Sequence, residues 1–137
     1  MPEFETLIED FAEKLEVHYT KIDPNTFNLN ISDDIQIKTI GIPSLKQIYF
    51  YSNITACPTE KRELIFTHLM KANLLGDGTG GATIGLDNDE KFLTLSYVMP
   101  YESNYENFKE QLEDFVNYLL FWEEEIKKLS LEKNLLG

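Results

Sequence analysis

The sequence predicts an α+β fold in the order α-β-β-β-α-β-β-α, an antiparallel twisted sheet packed by helices. Three observations carry that prediction. Apolar residues fall at helical spacing near both ends of the chain. Short β-rich runs separated by turn residues fill the intervening stretches. Between them lies a segment that is helical by pattern and apolar nearly all round.

The first helix is read from Phe4, Leu7, Ile8, Phe11 and Leu15, with Pro2 ahead of them and acids between them. Phe27, Leu29 and Ile31 then alternate with Asn28 and Asn30, giving a strand. A Ser32-Asp33-Asp34 turn leads to Ile35, Ile37 and a β-rich run to Ile42, and a third run spans Ile48 to Ile54 with Tyr49, Phe50 and Tyr51. Three strands in an antiparallel meander is the economical arrangement. The second helix is expected from Pro58, placed in a first turn, to about Leu75, with Gly76 as its stop. Its Leu64, Ile65, Phe66, Leu69, Met70 and Leu74 cover more than half the circumference at ~100° per residue. One sheet contact does not use so wide an arc, so a second surface is expected to cover the rest. A second copy of the chain is the simplest cover. Ala82 to Leu86 and Phe92 to Met99 flank the polar turn Asp87-Asn88-Asp89-Glu90 as a hairpin, which Pro100 ends. From Asn104, Tyr105, Phe108, Leu112, Phe115, Val116, Leu119, Trp122, Ile126 and Leu129 mark a long third helix with Ser103 or Asn104 as its cap. Residues 130–137 are expected to fray.

Composition limits what such a chain does. At 137 residues it is expected to form a single domain, and with 42% hydrophobic and 12% aromatic residues it holds a core without disulfides or metal. Asp and Glu number 24 against 12 Lys and Arg, a formal net charge of −12, with a pI near 4.5. That balance repels a phosphate backbone and opposes docking to an anionic membrane, so neither nucleic acid nor membrane insertion is expected. The single cysteine, Cys57, has no intramolecular partner, the N-terminus does not read as a signal segment, and apolar runs such as Tyr118 to Trp122 fall far short of the ~20 residues a span needs. A reducing cytoplasm is the expected compartment.

Candidate chemistry is sparse. Gly76-Asp77-Gly78-Thr79-Gly80-Gly81 has GxGxxG spacing, but it follows a helix and feeds a strand, the reverse of a dinucleotide fingerprint. A helix stop at Gly76 and close backbone approach at Gly80 and Gly81 explain it better. Asp87-Asn88-Asp89 begins like a calcium loop, but Lys91 and the missing Gly and Glu break the pattern. His18 and His68 have no ligands at zinc spacing. Cys57 reads as a small apolar residue more readily than as a reactive thiol, and Glu123, Glu124 and Glu125 as a solvated face. No catalytic residue, metal or cofactor is expected.

Leu69-Met70-Lys71-Ala72-Asn73-Leu74-Leu75-Gly76 followed by Thr79-Gly80-Gly81-Ala82-Thr83-Ile84-Gly85-Leu86-Asp87 resembles the class I type III secretion chaperones, the Tir-chaperone family. The element order, the acidic pI and the final helix with Phe115-Val116-Asn117 and Trp122 are similar too. The resemblance spans Phe4 to about Leu129 and is locally specific from Leu69 to Asp87. The tyrosine-rich stretch Tyr97 to Tyr105 departs from the family pattern and is expected to alter the surface near the last strand.

The resemblance implies a cytoplasmic homodimer that holds the non-globular N-terminal segment of a secreted effector in an export-competent state without ATP, with the export ATPase as a further partner. It places Leu69, Met70, Ala72, Leu74, Gly80, Gly81, Ala82 and Ile84 at the dimer interface. For effector binding the candidates are Leu29, Ile31, Ile35, Ile37, Tyr49 and Tyr51, about half of which face the chain's own helices by period alone. Two other readings stay open: a regulatory or adaptor domain of the same fold that binds a folded partner, and a small carboxylate-based hydrolase.

Overall fold

The computed structural model describes residues 4–131. Three α-helices and a six-stranded sheet give the α+β class expected. The elements are α1 (Phe4–Leu15), β1 (His18–Asp23), β2 (Thr26–Asn30), β3 (Gln36–Ile42), β4 (Gln47–Ala56), α2 (Arg62–Asn73), β5 (Thr83–Leu86), β6 (Phe92–Pro100) and α3 (Tyr105–Leu131), with single 3-10 turns at Pro43–Leu45 and Leu74–Gly76. The sheet order is β1-β2-β3-β4-β6-β5, antiparallel from β1 to β4. The chain divides into two compact units, residues 4–52 with 96–115 and residues 53–95 with 116–131.

In the first unit, alternation along the strands sorts side chains between two faces. Phe27 pairs across to Thr39 and Thr39 to Phe50, all fully buried, while Leu29 pairs with Ile37 and Gly41 with Ile48. Against this face lie Phe4, Leu7, Ile8 and Phe11 of α1 and Phe108, Leu112 and Phe115 of α3. Phe50 anchors them, meeting Phe108 at 5.8 Å and Phe115 at 5.7 Å edge to face, and Phe108 in turn meets Phe11 at 6.2 Å. Asn104 caps α3 through a 2.7 Å bond from the Asn107 amide to Oδ1, as its sequence position predicts.

β1 was not expected. All six of its side chains are exposed, so His18-Tyr19-Thr20-Lys21-Ile22-Asp23 carries no apolar alternation to reveal a strand. It is held by pairing with β2, by the Tyr19 ring on Phe27 and by Lys21, which bridges Glu5 at 3.1 Å. The turn into β2 did have a signature in Asp23-Pro24-Asn25, where the Asn25 amide donates to Asp23 Oδ1 at 2.9 Å. Of the tyrosines in residues 97–105, Tyr101 is buried beside Phe4, Tyr97 lies tilted 6.2 Å from Phe50, and Lys14 lies over the Tyr105 ring. Tyr97 and Tyr105 are half-buried.

In the second unit, α2 starts at Arg62, four residues beyond the expected Pro58. The Cys57 amide donates to Lys91 O at 2.8 Å, which keeps the chain extended past Ala56, and Lys61 adopts a left-handed conformation (φ 58°) immediately before the helix. The helix ends at Asn73, and the chain turns through left-handed Leu75 (φ 56°) and Gly76 (φ 70°). Trp122 of α3 is buried here, its ring against His68 and its Nε1 donating to Gly78 O at 2.9 Å. Ser130 and Leu131 lie in α3, so the expected frayed segment does not start at 130; residues 132–137 lie outside the described residues.

Truncating Phe50 to Ala removes the ring shared by Tyr97, Phe108 and Phe115. Urea unfolding followed by circular dichroism is expected to show a loss of about 3–5 kcal/mol. A loss below 1 kcal/mol is incompatible with that role.

Candidate binding surfaces

The second face of the first unit's sheet is the inverse of the core face. Ile40 lies opposite Tyr49, Lys38 opposite Tyr51 and Ile42 opposite Gln47, all with side chains on the side away from Phe50 and Thr39. These residues are half-buried or exposed, and Lys38, Ile40, Ile42, Tyr49, Tyr51 and Ser96 line an open groove of about 430 Å³. Its lining is mostly apolar, with the Lys38 ammonium and the Tyr49 hydroxyl, bonded to Gln47 Oε1 at 2.7 Å, as polar points. Ordinary two-sided antiparallel sheets turn polar residues to the open side. Here Asn28, Asn30 and Gln36 follow that rule on β2 and early β3, while Ile40, Ile42, Tyr49 and Tyr51 break it.

That geometry divides the expected effector-binding residues. Tyr49 and Tyr51 lie on the open face. Leu29 and Ile37 are fully buried beneath the helices, so their parity gives them to the core. Ile31 and Ile35 are half-buried and sit at the β2–β3 turn, where the Ile31 amide donates to Ile35 O at 2.9 Å. Ile40 and Ile42 were missed, although they share Tyr49's parity across the β3–β4 pair.

The second unit carries another apolar surface. Ile65 and Leu69 of α2 are buried, while Leu64 (53% exposed), Met70 (73%), Leu74 (67%) and Leu75 (96%) are open to solvent. A groove of about 180 Å³ runs between α2 and β5, lined by Phe66, Leu69, Met70, Asn73, Ile84, Leu86 and Leu93 among others. Of the residues expected at a dimer interface, Met70, Leu74, Gly80 and Gly81 are exposed, Ala72 is half-buried, and Leu69, Ala82 and Ile84 are buried within the chain itself.

Main-chain amides of residues 76–81 bond within the turn and back to α2. The Gly78 amide donates to Ala72 O (2.9 Å), and those of Thr79 and Gly81 to Gly76 O (3.3 and 3.1 Å). Those amides are therefore committed and do not form a phosphate cradle. The close approach expected at Gly80 is made by this chain's own Tyr118, whose ring occupies the place of a Cβ, with φ at 64°. Asp87 shapes the β5–β6 turn, its Oδ1 accepting from the Lys91 and Phe92 amides at 2.7 and 3.1 Å. Arg62 Nη2 reaches Cys57 Sγ at 3.8 Å. Burial pushes the Tyr105 hydroxyl above its ordinary pKa.

Comparison with known proteins decides the family. The model of the Tir chaperone protein (CesT) family matches residues 6–123. The chain belongs to that family. No curated protein matches it in sequence. Among solved structures, the CesT-family chain is similar to one in the ExsC–ExsE complex (TM-score 0.72, 15% identity, 86% of this chain and 89% of that one). It is similar to one in the HopA1–SchA chaperone–effector complex (0.67, 15%, 88% and 93%). A third likeness is to the heterodimeric ExoU–SpcU complex from the type III secretion system of Pseudomonas aeruginosa (0.64, 10%, 86% and 93%). At these identities the likeness is one of fold.

Gly80→Ala places a methyl in the Tyr118 ring at a left-handed backbone position. Thermal unfolding is expected to show a loss of about 1–3 kcal/mol, and Gly80→Ala combined with Tyr118→Ala is expected to lose less than the sum of the two single changes. Strict additivity would mean the two residues do not meet.

Proposed function

We propose that this CesT-family protein is a type III secretion chaperone that acts as a homodimer and holds the non-globular N-terminal segment of a secreted effector, without ATP and without enzymatic activity. The observation that carries the reading is the apolar open face of β3 and β4. An extended client lays alternate side chains into the groove between Ile40, Ile42, Tyr49 and Tyr51, while Lys38 offers a cation to client carboxylates or C=O groups. Ordering such a segment costs several kcal/mol, which a long wrapped contact offsets.

The dimer reading is supported by α2. Leu64, Met70, Leu74 and Leu75 are apolar side chains exposed on α2 and the turn that follows it, with Met70 and Leu74 about 40° apart around the helix axis. We place the seam on Met70 and Leu74, with Ala72 and the rim of the α2–β5 groove around them. Leu69, Ala82 and Ile84 support the seam from beneath. β1, an edge strand with every side chain exposed, is the position we assign to any strand the client adds to the sheet.

Two experiments separate these assignments. Met70→Glu with Leu74→Glu is expected to give a folded monomer by light scattering, since two carboxylates per copy would be buried unpaired; a variant that remains a dimer removes α2 from the seam. Ile40→Asp with Tyr49→Asp is expected to leave the dimer intact and to weaken binding of an effector N-terminal peptide by roughly 10- to 30-fold or more, read by calorimetry. Unchanged peptide affinity in that variant would move the client elsewhere. Binding only to the folded effector would favour an adaptor.

A further inference from the structure

The sheet has two edge strands, β1 and β5, and they are treated differently. On β5, Asp87 at the hairpin donates its amide to Phe92 O, so residues of Asp87's parity face β6 and those of Ile84's parity face outward. The outward main-chain groups of Ile84 are both taken: its amide donates to Asn73 Oδ1 at 2.8 Å, and its C=O accepts from Asn73 Nδ2 at 2.8 Å. A carboxamide presents the same donor and acceptor as a peptide unit, so Asn73 stands where a neighbouring strand would stand. Two residues earlier, at the residue that leads into β5, Thr79 takes up both main-chain groups of Ala82, one through its own C=O and one through its hydroxyl. The Ala82 amide donates to Thr79 O at 3.2 Å, and the fully buried Thr79 hydroxyl donates to Ala82 O.

We propose that Asn73 and Thr79 are edge guards: they deny β5 to a strand from a second copy, so that two copies meet through the side chains of α2 and never by joining their sheets. The need for guards follows from the surroundings. β5 borders the groove lined by Met70, Ile84 and Leu86, an apolar surface that draws another copy to this edge. An unguarded β5 beside such a surface is free to pair head to tail with the open edge β1 of another copy, a heterologous contact that does not close at two. The choice of α2 as the shared surface rests on the homodimer reading; the closure of β5 is a property of the single chain.

The test compares the wild type with Asn73→Ala/Thr79→Val by light scattering across a concentration series, by infrared spectroscopy and by hydrogen exchange. The double variant is expected to exchange the Ile84 amide roughly five- to ten-fold faster, to grow in size with concentration, and to show the infrared signature of intermolecular strands. Adding Thr83→Lys, a charge on the exposed side of β5, is expected to return it to the wild-type size. Should the double variant not fold, Asn73→Asp, which keeps the acceptor and loses the donor, is expected to show the same growth to a smaller degree. The proposal is overturned if a folded variant exchanges Ile84 faster yet keeps the wild-type size, if Ile84 exchange does not change, or if the large species persist with Thr83→Lys. A wild type that is monomeric by light scattering defeats the homodimer reading alone, because the guards are then still judged by whether their loss creates strand-paired species.

Discussion

The register of β3 against β4 is the constraint on which the rest of the first unit depends. Thr39 stands opposite Phe50, and Ile40 opposite Tyr49. A slip of one residue would exchange these pairs between the faces, putting tyrosine hydroxyls under the helices and the Phe50 ring into water. The edge-to-face contacts of Phe50 with Phe108 and Phe115 oppose that slip. The Thr39 hydroxyl adds to them by donating to Phe27 O at 3.1 Å, a bond that satisfies a polar group on an otherwise apolar face. One cluster thus orders the helices on one side and sets which residues are offered on the other.

α2 works under a different constraint, because a twelve-residue helix carries apolar side chains both buried and open to solvent. Ile65 and Leu69 hold it to its own unit. The apolar residues that remain are spread around the cylinder, so no single strip dominates. A helix of this kind is stable only while both surfaces are covered or while one stays small enough to be tolerated in water. Ile65 and Leu69 are buried, whereas Met70 and Leu74 stay exposed.

Much of this was legible in the sequence, and what was not has identifiable causes. Periodicity located α1, α3, β2, β3, β4 and the β5–β6 hairpin, because each buries a regular set of apolar side chains. β1 buries none, so only its Asp23-Pro24-Asn25 turn hinted at it. Pro58 misplaced the start of α2 because a proline that fits a first helical turn also fits an extended lead-in, and a main-chain bond to Lys91, distant in sequence, decided between them. Alternation implied that about half of the effector-binding candidates face the chain's own helices, but the register between strands, which puts Leu29 and Ile37 on one face and Tyr49 on the other, was not legible. Asn73 and Thr79 left no periodic trace at all, since each acts through hydrogen bonds to the backbone of a residue several positions away.

The tie between Trp122 and the glycine-rich turn has a spectroscopic consequence. Trp122 is the sole tryptophan of the chain, its indole is buried, and its one donor is committed to Gly78 O. Steady-state emission excited on the indole band therefore reports a single locus in the second unit. Loosening of residues 76–81 would wet that indole and shift its emission to longer wavelength, whereas opening of the Phe50 cluster in the first unit would leave it dark to the probe. Paired with tyrosine absorbance, the protein carries its own label for telling which of its two halves gives way first.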